Sequence, residues 1–237
     1  MLVVMIHSAY GRLGAVLSAL IVVLSILGLT MHGDFYASRP RRDFFRFYTN
    51  LSNLIVLLYF ALIAPYLYAS SPLRVLIPAA EFSVMMCIML TFCVFHFMLF
   101  PFVRSQLLRM PRTEGFWIVC ADNLILHYLV PLLVLAYWIL CSPGKSTLTP
   151  AHALHWTIIP LAYIICIFAS VRCGHIIAET GTRYPYPFLN ADDLGIRRVI
   201  GSCASLYALC ILAGLTVIML LKTLFALLGK GHALFLI

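Results

Sequence analysis

Residues 117–141, WIVCADNLILHYLVPLLVLAYWILC, form an apolar run long enough to cross a lipid bilayer as a helix. About 20 apolar residues in a helix are enough to span the hydrocarbon core. Two of the side chains in this run that lipid does not favour are Asp122 and His127. A polar side chain in hydrocarbon costs free energy unless it has a partner, so these two residues mark a candidate site inside a membrane-spanning helix.

Five further apolar runs resemble this one, at roughly 8–31, 44–68, 78–101, 155–176 and 194–222. The chain has 237 residues, of which 63% are hydrophobic and 10% are charged, too apolar a composition for a water-soluble domain. The connections between the runs are short. The sequence therefore predicts an all-α membrane protein, with residues 1–237 forming a single bundle of six transmembrane helices.

The formal net charge of +8 arises from basic residues that are divided among short loops, which argues against a nucleic-acid partner. Loops 1, 3 and 5 with their flanks carry Arg39, Arg41, Arg42, Arg46, Arg104, Arg109, Arg112, Arg172, Arg183, Arg197 and Arg198. These are eleven of the 16 basic residues. Because cytoplasmic loops are enriched in Lys and Arg, we expect loops 1, 3 and 5 in the cytoplasm and both termini outside.

The eight cysteines lie in or beside apolar runs and include no C-x-x-C pair, so they are interpreted as packing residues. We expect no metal and no cofactor. Haem ligation by His96, His127 and His175 is disfavoured because these histidines do not form two pairs on facing helices.

Most of the unusual polar residues fall at one end of the predicted bundle, the end of loops 1, 3 and 5. They are Thr49, Asn50, Ser52 and Asn53 in span 2, His96 in span 3, Asp122, Asn123 and His127 in span 4, and His175, Tyr184 and Tyr186 in or beside loop 5. Successive spans run in opposite directions, so these positions share one half of the bilayer. Such convergence predicts a polar site there.

A hydroxyl and an imidazole at matching depth can attack an ester, with Thr49 as nucleophile and His127 as base. Asn53 lies four residues after Thr49 and Asn123 four before His127, so each pair shares a helix face. Pro131 removes a hydrogen bond to the His127 carbonyl and should kink the helix. The alternatives are ordinary: a membrane threonine usually bonds its own helix, and a lone membrane histidine usually bonds a neighbouring helix.

The string FYTNLSNL at 47–54 and the Asn123-x-x-x-His127 pair resemble the androgen-induced-gene-like family of integral membrane proteins. Loop 5, with YPYPFL at 184–189 and residues 192–195, resembles the bacterial branch of that family. The resemblance extends over most of the chain in span order. It implies a threonine hydrolase of fatty acid esters of hydroxy fatty acids or similar acyl lipids, with Thr49 and His127 at the catalytic positions.

In the expected mechanism, Asp122 or Asn123 orients the imidazole, and Asn50 or Asn53 stabilises the oxyanion. Ser52, His96, His175, Tyr184 and Tyr186 are candidate pocket residues. The expected partners are a lipid substrate in the bilayer and the membrane lipids, and homo-oligomerisation is left open. Two other functions stay open, a small proton-coupled transporter and a lipid-binding protein without chemistry.

Overall fold

The computed structural model describes the backbone of residues 2–36, 41–69, 75–177 and 180–232, and the side chains of 11–36, 41–66, 75–177 and 180–227. Arg39 and Arg74 lie outside the described residues, as does the side chain of Lys230. Within these ranges, six helical segments are long and apolar enough to cross a membrane: Gly11–His32, Tyr48–Tyr66, Ile77–Leu107, Glu114–Cys141, His152–Arg172 and Ile196–Leu227. The prediction of an all-α bundle of six spans is confirmed.

Each span is built from one α-helix or from several consecutive ones. The helices are α1 Leu2–His32, α2 Tyr48–Leu58, α3 Ala64–Ala69, α4 Ile77–Val94, α5 Phe100–Leu107, α6 Glu114–Leu124, α7 Val130–Cys141, α8 His152–His155, α9 Ile158–Arg172, α10 Ala191–Leu194 and α11 Ile196–His232. The third span is longer than the predicted 78–101, because the helix continues through the polar residues that follow Pro101 and ends at Leu107.

Three spans are interrupted by a π-helical turn, in which each N–H bonds the carbonyl five residues back. The turns are Tyr59–Ile63, Phe95–Leu99 and Ile125–Leu129. Each is followed two residues later by a proline, Pro65, Pro101 or Pro131. Proline has no N–H and its ring clashes with the carbonyl four residues back, so a wider turn accommodates it. The expected distortion at Pro131 therefore takes the form of a π turn that contains His127.

The first span packs against the π turn of span 4. A Cβ added at Gly28 would lie 2.6 Å from the Leu126 side chain, so only glycine permits this approach. Leu126 is fully buried, and it lies directly before His127 in the sequence. The depth of the imidazole in the bundle is thus fixed by close contact with α1.

The C-terminal end of span 4 is closed by Lys145, which lies just beyond α7 and is 4% exposed. Its ammonium donates hydrogen bonds to the carbonyls of Trp138 (3.1 Å), Ile139 (3.1 Å) and Ser142 (2.6 Å). Burial lowers the pKa of Lys145, and the negative charge of Glu81 opposes that shift. The lysine satisfies carbonyls that the end of α7 leaves without helical partners.

Loops 1 and 5 meet at the end of the bundle where the sequence places the polar residues. The carboxylate of Asp43 in loop 1 lies 2.9 Å from Nε2 of His175, which follows α9. Within loop 5, the Asn190 side chain accepts a hydrogen bond from the Asp192 N–H and caps α10. This contact between the loops brings the residues of loop 5 over the beginning of α2.

Candidate functional site

A cavity of about 50 Å³ opens at this end of the bundle, within about 490 Å³ of space between its wall atoms that includes the open mouth, and Thr49 is part of its wall. Part of this space is open to the surroundings. Its wall is mainly apolar and includes Leu90, Val94, Ile164 and Leu206, while the hydroxyl-bearing residues of the wall are Tyr48, Thr49, Thr91, Tyr163 and Tyr186. Ligand sites generally combine such an apolar lining with a few placed polar groups. The cavity is suited to an acyl chain whose polar end meets the hydroxyl groups.

Thr49 occupies the first turn of α2, and a tyrosine from loop 5 covers that turn. The residue before the helix, Phe47, is extended and makes no capping hydrogen bond through its side chain. Instead, the phenol oxygen of Tyr186 accepts a hydrogen bond from the Tyr48 N–H at 2.9 Å. Tyr186 and Thr49 also line the same cavity. The candidate nucleophile therefore has a polar neighbour in the cavity wall.

A second tyrosine extends this polar chain away from the cavity. The hydroxyl of Tyr163 in α9 donates to the Arg46 carbonyl at 2.7 Å, and Tyr163 lines the cavity together with Tyr186. The Arg46 guanidinium in turn contacts the Ser170 hydroxyl and the Asp43 carboxylate. The polar groups thus run from Thr49 to the rim of loop 1.

Asn53 joins the helix of Thr49 to the π turn of His127. Its side-chain amide donates to the Thr49 carbonyl at 2.9 Å and to the Leu126 carbonyl at 3.2 Å. Both amide hydrogens are therefore occupied in this arrangement, which leaves none for an oxyanion. Its observed role is to hold the two helices together.

Asn50 also binds backbone and does not face a ligand. Its amide donates to the Phe44 carbonyl at 2.8 Å, in the short 3₁₀ turn Phe44–Arg46 before α2. Asn50 does not line the cavity. One hydrogen of its amide thus fixes the entry of the chain into α2.

His127 lies directly behind the cavity wall. It is 5% exposed, and its ring stacks on Phe95 with the ring centroids 3.7 Å apart and the planes 11° apart. Phe95 itself lines the cavity, whereas His127 does not. The imidazole Nδ1 is buried and has no hydrogen-bond partner among the described residues. Asn53 therefore connects the Thr49 carbonyl to that of the residue before His127, and Phe95, which stacks on His127, lines the same cavity as Thr49.

Asp122 pairs with His32, which is not among the site residues predicted from the sequence. Its carboxylate lies 3.0 Å from Nδ1 of His32, the last residue of α1. Asn123 donates to the Val119 carbonyl at 2.7 Å and to Asp122 at 3.2 Å. Neither residue bonds the Nδ1 of His127, so the predicted orienting role of Asp122 and Asn123 is not seen. The sequence feature that points to His32 is its position at the end of span 1, at the same membrane depth as the start of span 4.

Two further histidines lie outside the cavity wall. His96 is exposed, and its Nδ1 lies 3.1 Å from the Tyr128 hydroxyl. His175 bonds Asp43 at the rim and is also exposed. The structure does not bring either one to Thr49. Within the described ranges, no group of three or more His, Cys, Asp or Glu residues is placed to hold a metal ion.

The remaining candidates support the wall from behind. The Ser52 hydroxyl bonds the Thr49 carbonyl at 3.0 Å and lies 2.6 Å from the hydroxyl of Thr91, which lines the cavity. Tyr184 is buried in an aromatic cluster against Phe168 and does not line the cavity. Of the two loop 5 tyrosines, only Tyr186 reaches the candidate nucleophile.

Comparison of the chain with family models, with curated proteins and with solved structures finds no match. The family resemblance therefore rests on the motifs of span 2, span 4 and loop 5 alone.

Proposed function

We propose that the protein is an intramembrane hydrolase of lipid esters, with Thr49 as nucleophile and His127 as base. The observation that carries the proposal is the position of the Thr49 hydroxyl, in the wall of an apolar cavity inside a membrane-spanning bundle. A hydroxyl at such a place meets the carbonyl of an acyl lipid whose chain fills the cavity. Fatty acid esters of hydroxy fatty acids and similar acyl lipids fit this description.

The proposed reaction has two steps. Thr49 Oγ1 forms a bond to the ester carbonyl carbon while its proton passes to His127, and the ester C–O bond then breaks as that proton moves to the leaving alcohol. Water next attacks the acyl-threonine, with His127 again taking and returning a proton. The products are a free fatty acid, the alcohol and the unchanged enzyme.

The position of His127 requires one side-chain movement in this mechanism. Phe95 lies between the imidazole and the cavity, so the ring of Phe95 has to turn before the imidazole reaches the Thr49 hydroxyl. Catalytic hydrogen bonds often form only when substrate is bound. The unpaired Nδ1 of His127 supports this role, because a buried imidazole with no partner is not explained by helix packing.

We propose a bacterial inner membrane location with loops 1, 3 and 5 in the cytoplasm. The excess of basic residues on these loops supports this orientation. The cavity end of the bundle then faces the cytoplasm, from which water enters for the second step.

The test compares two threonines that line the same cavity. Thr49→Val and Thr91→Val each replace a hydroxyl by a methyl group of similar size, and only the first removes the proposed nucleophile. We expect the purified wild-type protein and Thr91→Val to react with a fluorophosphonate probe and to hydrolyse a branched fatty acid ester. Thr49→Val and His127→Ala should lose both activities while remaining folded. Full activity of either variant contradicts the proposal.

A lipid-binding protein without chemistry is the second candidate. It is favoured by one observation, that His127 does not line the cavity in which Thr49 lies. This function predicts that intact acyl lipid co-purifies equally with the wild type and with Thr49→Val, and that neither protein reacts with the probe. Mass spectrometry of the bound lipid distinguishes the two functions.

A further inference from the structure

Tyr186 makes an unusual contact for a residue of a loop. Its phenol oxygen caps α2, which begins 138 residues earlier in the sequence, at the turn that carries Thr49. Helix N-termini are normally capped by a neighbouring Ser, Thr, Asp or Asn. Tyr186 is 7% exposed and lines the cavity, so its hydroxyl lies where a ligand would meet Thr49.

We propose that Tyr186 is a further catalytic residue, whose hydroxyl donates a hydrogen bond to the carbonyl oxygen of the bound ester as Thr49 attacks. This assignment rests on the proposed hydrolase function. It replaces Asn50 and Asn53, whose amides are bonded to backbone carbonyls, as the side chain that stabilises the oxyanion.

The hydrogen-bond pattern leaves the Tyr186 proton available. The Tyr186 oxygen accepts the Tyr48 N–H, and the single hydrogen of the Tyr163 hydroxyl goes to the Arg46 carbonyl. Neither of these bonds uses the hydrogen of the Tyr186 hydroxyl. A carbonyl oxygen that enters the cavity beside Thr49 can accept this hydrogen, and the bond strengthens as negative charge develops.

Two features of the site suit a neutral donor. Burial raises the pKa of the Tyr186 phenol, so it keeps its proton at neutral pH even though neighbouring hydrogen bonds oppose that shift. The N-terminus of α2 adds a partial positive charge at the same place. The proton stays on Tyr186 throughout: the carbonyl electron pair moves to oxygen when Thr49 adds, and returns when the alcohol leaves.

The test uses two tyrosines of loop 5. Tyr186→Phe removes only the hydroxyl from the cavity wall, and the matched control Tyr184→Phe removes one from a buried ring that does not line the cavity. Loss of one oxyanion donor typically lowers kcat about 10²–10³-fold. We expect that fall in kcat for Tyr186→Phe with KM little changed, and kcat within about twofold of the wild type for Tyr184→Phe.

A purely structural role of the Tyr186 cap gives a different result. It lowers the yield of folded protein, while turnover per folded molecule is unchanged, and this outcome overturns the assignment while leaving the hydrolase proposal intact. Absence of any Thr49-dependent turnover in the wild type overturns the hydrolase proposal, and the role of Tyr186 falls with it.

A second variant keeps the assignment testable if Tyr186→Phe does not fold. Tyr186→3-fluorotyrosine retains the ring and the hydroxyl but lowers the pKa of the phenol. A donor is lost when it deprotonates, so kcat should fall as pH rises through the phenol pKa, and this fall should begin at lower pH in the fluorinated protein. Identical pH profiles for the two proteins overturn the assignment.

Discussion

Span 4 buries one basic side chain at its middle and a second one lies buried just beyond its C-terminal end, and the two are bonded differently. Lys145, just beyond α7, has all three of its donors bonded to backbone carbonyls. His127, in the π turn before α7, has an Nδ1 with no hydrogen-bond partner among the described residues and stacks on a ring that lines a cavity. Both side chains are at most 5% exposed, so burial alone does not separate them.

The difference lies in what each nitrogen binds. A lysine that satisfies the carbonyls at a helix end is explained by stability, because those carbonyls otherwise lack partners. An imidazole that bonds nothing through Nδ1 stabilises little and lies beside space for a ligand. In a membrane protein, a polar residue is thus a candidate for chemistry when its hydrogen-bonding capacity is left unused next to a cavity.

The largest expected effect comes from His127→Phe. The phenyl ring preserves the stacking on Phe95 and removes both nitrogens. Loss of a general base should lower Thr49-dependent hydrolysis by about 10²–10⁴-fold. Thermal stability in detergent should be unchanged or higher, because a buried nitrogen without a partner is also removed. A clear loss of stability with activity retained would assign His127 to packing and break the contrast with Lys145.

Lys145→Met should show the reverse. The three carbonyls at the end of α7 lose their donor, and leaving a buried polar group unsatisfied costs about 1–3 kcal/mol. We expect a lower midpoint of thermal unfolding and unchanged hydrolysis per folded molecule. The control is Lys222→Met in α11, an exposed lysine whose loss should change stability by no more than about 0.5 kcal/mol. Equal stability of the two variants would remove the structural role from Lys145.

The smallest expected effect concerns the ring between His127 and the cavity. Phe95→Leu keeps most of the apolar volume but uncovers part of the imidazole. Carbethoxylation of His127 by diethyl pyrocarbonate, located by mass spectrometry, should become several-fold faster. Phe97→Leu, an exposed residue in the same π turn, serves as control and should leave the rate unchanged. An unchanged rate in both variants would show that Phe95 does not limit access to His127.

The fold was predictable because membrane-spanning helices are recognised in a sequence by their length and hydropathy. All six predicted runs correspond to helical segments, with ends that differ by a few residues. One such difference is at the end of span 3, where Arg104 and Gln106 continue the helix to Leu107. Hydropathy detects where lipid contact ends, whereas the helix itself ends where backbone hydrogen bonding ends.

The site was less predictable because its contacts join distant parts of the chain. Sequence patterns placed Thr49, His127 and Tyr186 at one end of the bundle, and the structure locates Thr49 and Tyr186 in the wall of one cavity and His127 behind its Phe95. They did not show that Asp122 pairs with His32, 90 residues away. Nor did they show that Asn53 donates both amide hydrogens to backbone carbonyls. Donor and acceptor choices depend on neighbouring helices, which a helix-face argument does not include.

The π turn at Ile125–Leu129 has a consequence for the geometry of the whole span. One extra residue in a turn rotates everything beyond it by about 100° relative to an uninterrupted α-helix. A helical wheel drawn continuously from Glu114 to Cys141 therefore assigns one half of the span to the wrong side. Deleting a single residue from the turn would swing α7 and its packing surface away from α1, even though the mean hydropathy of the segment would hardly change.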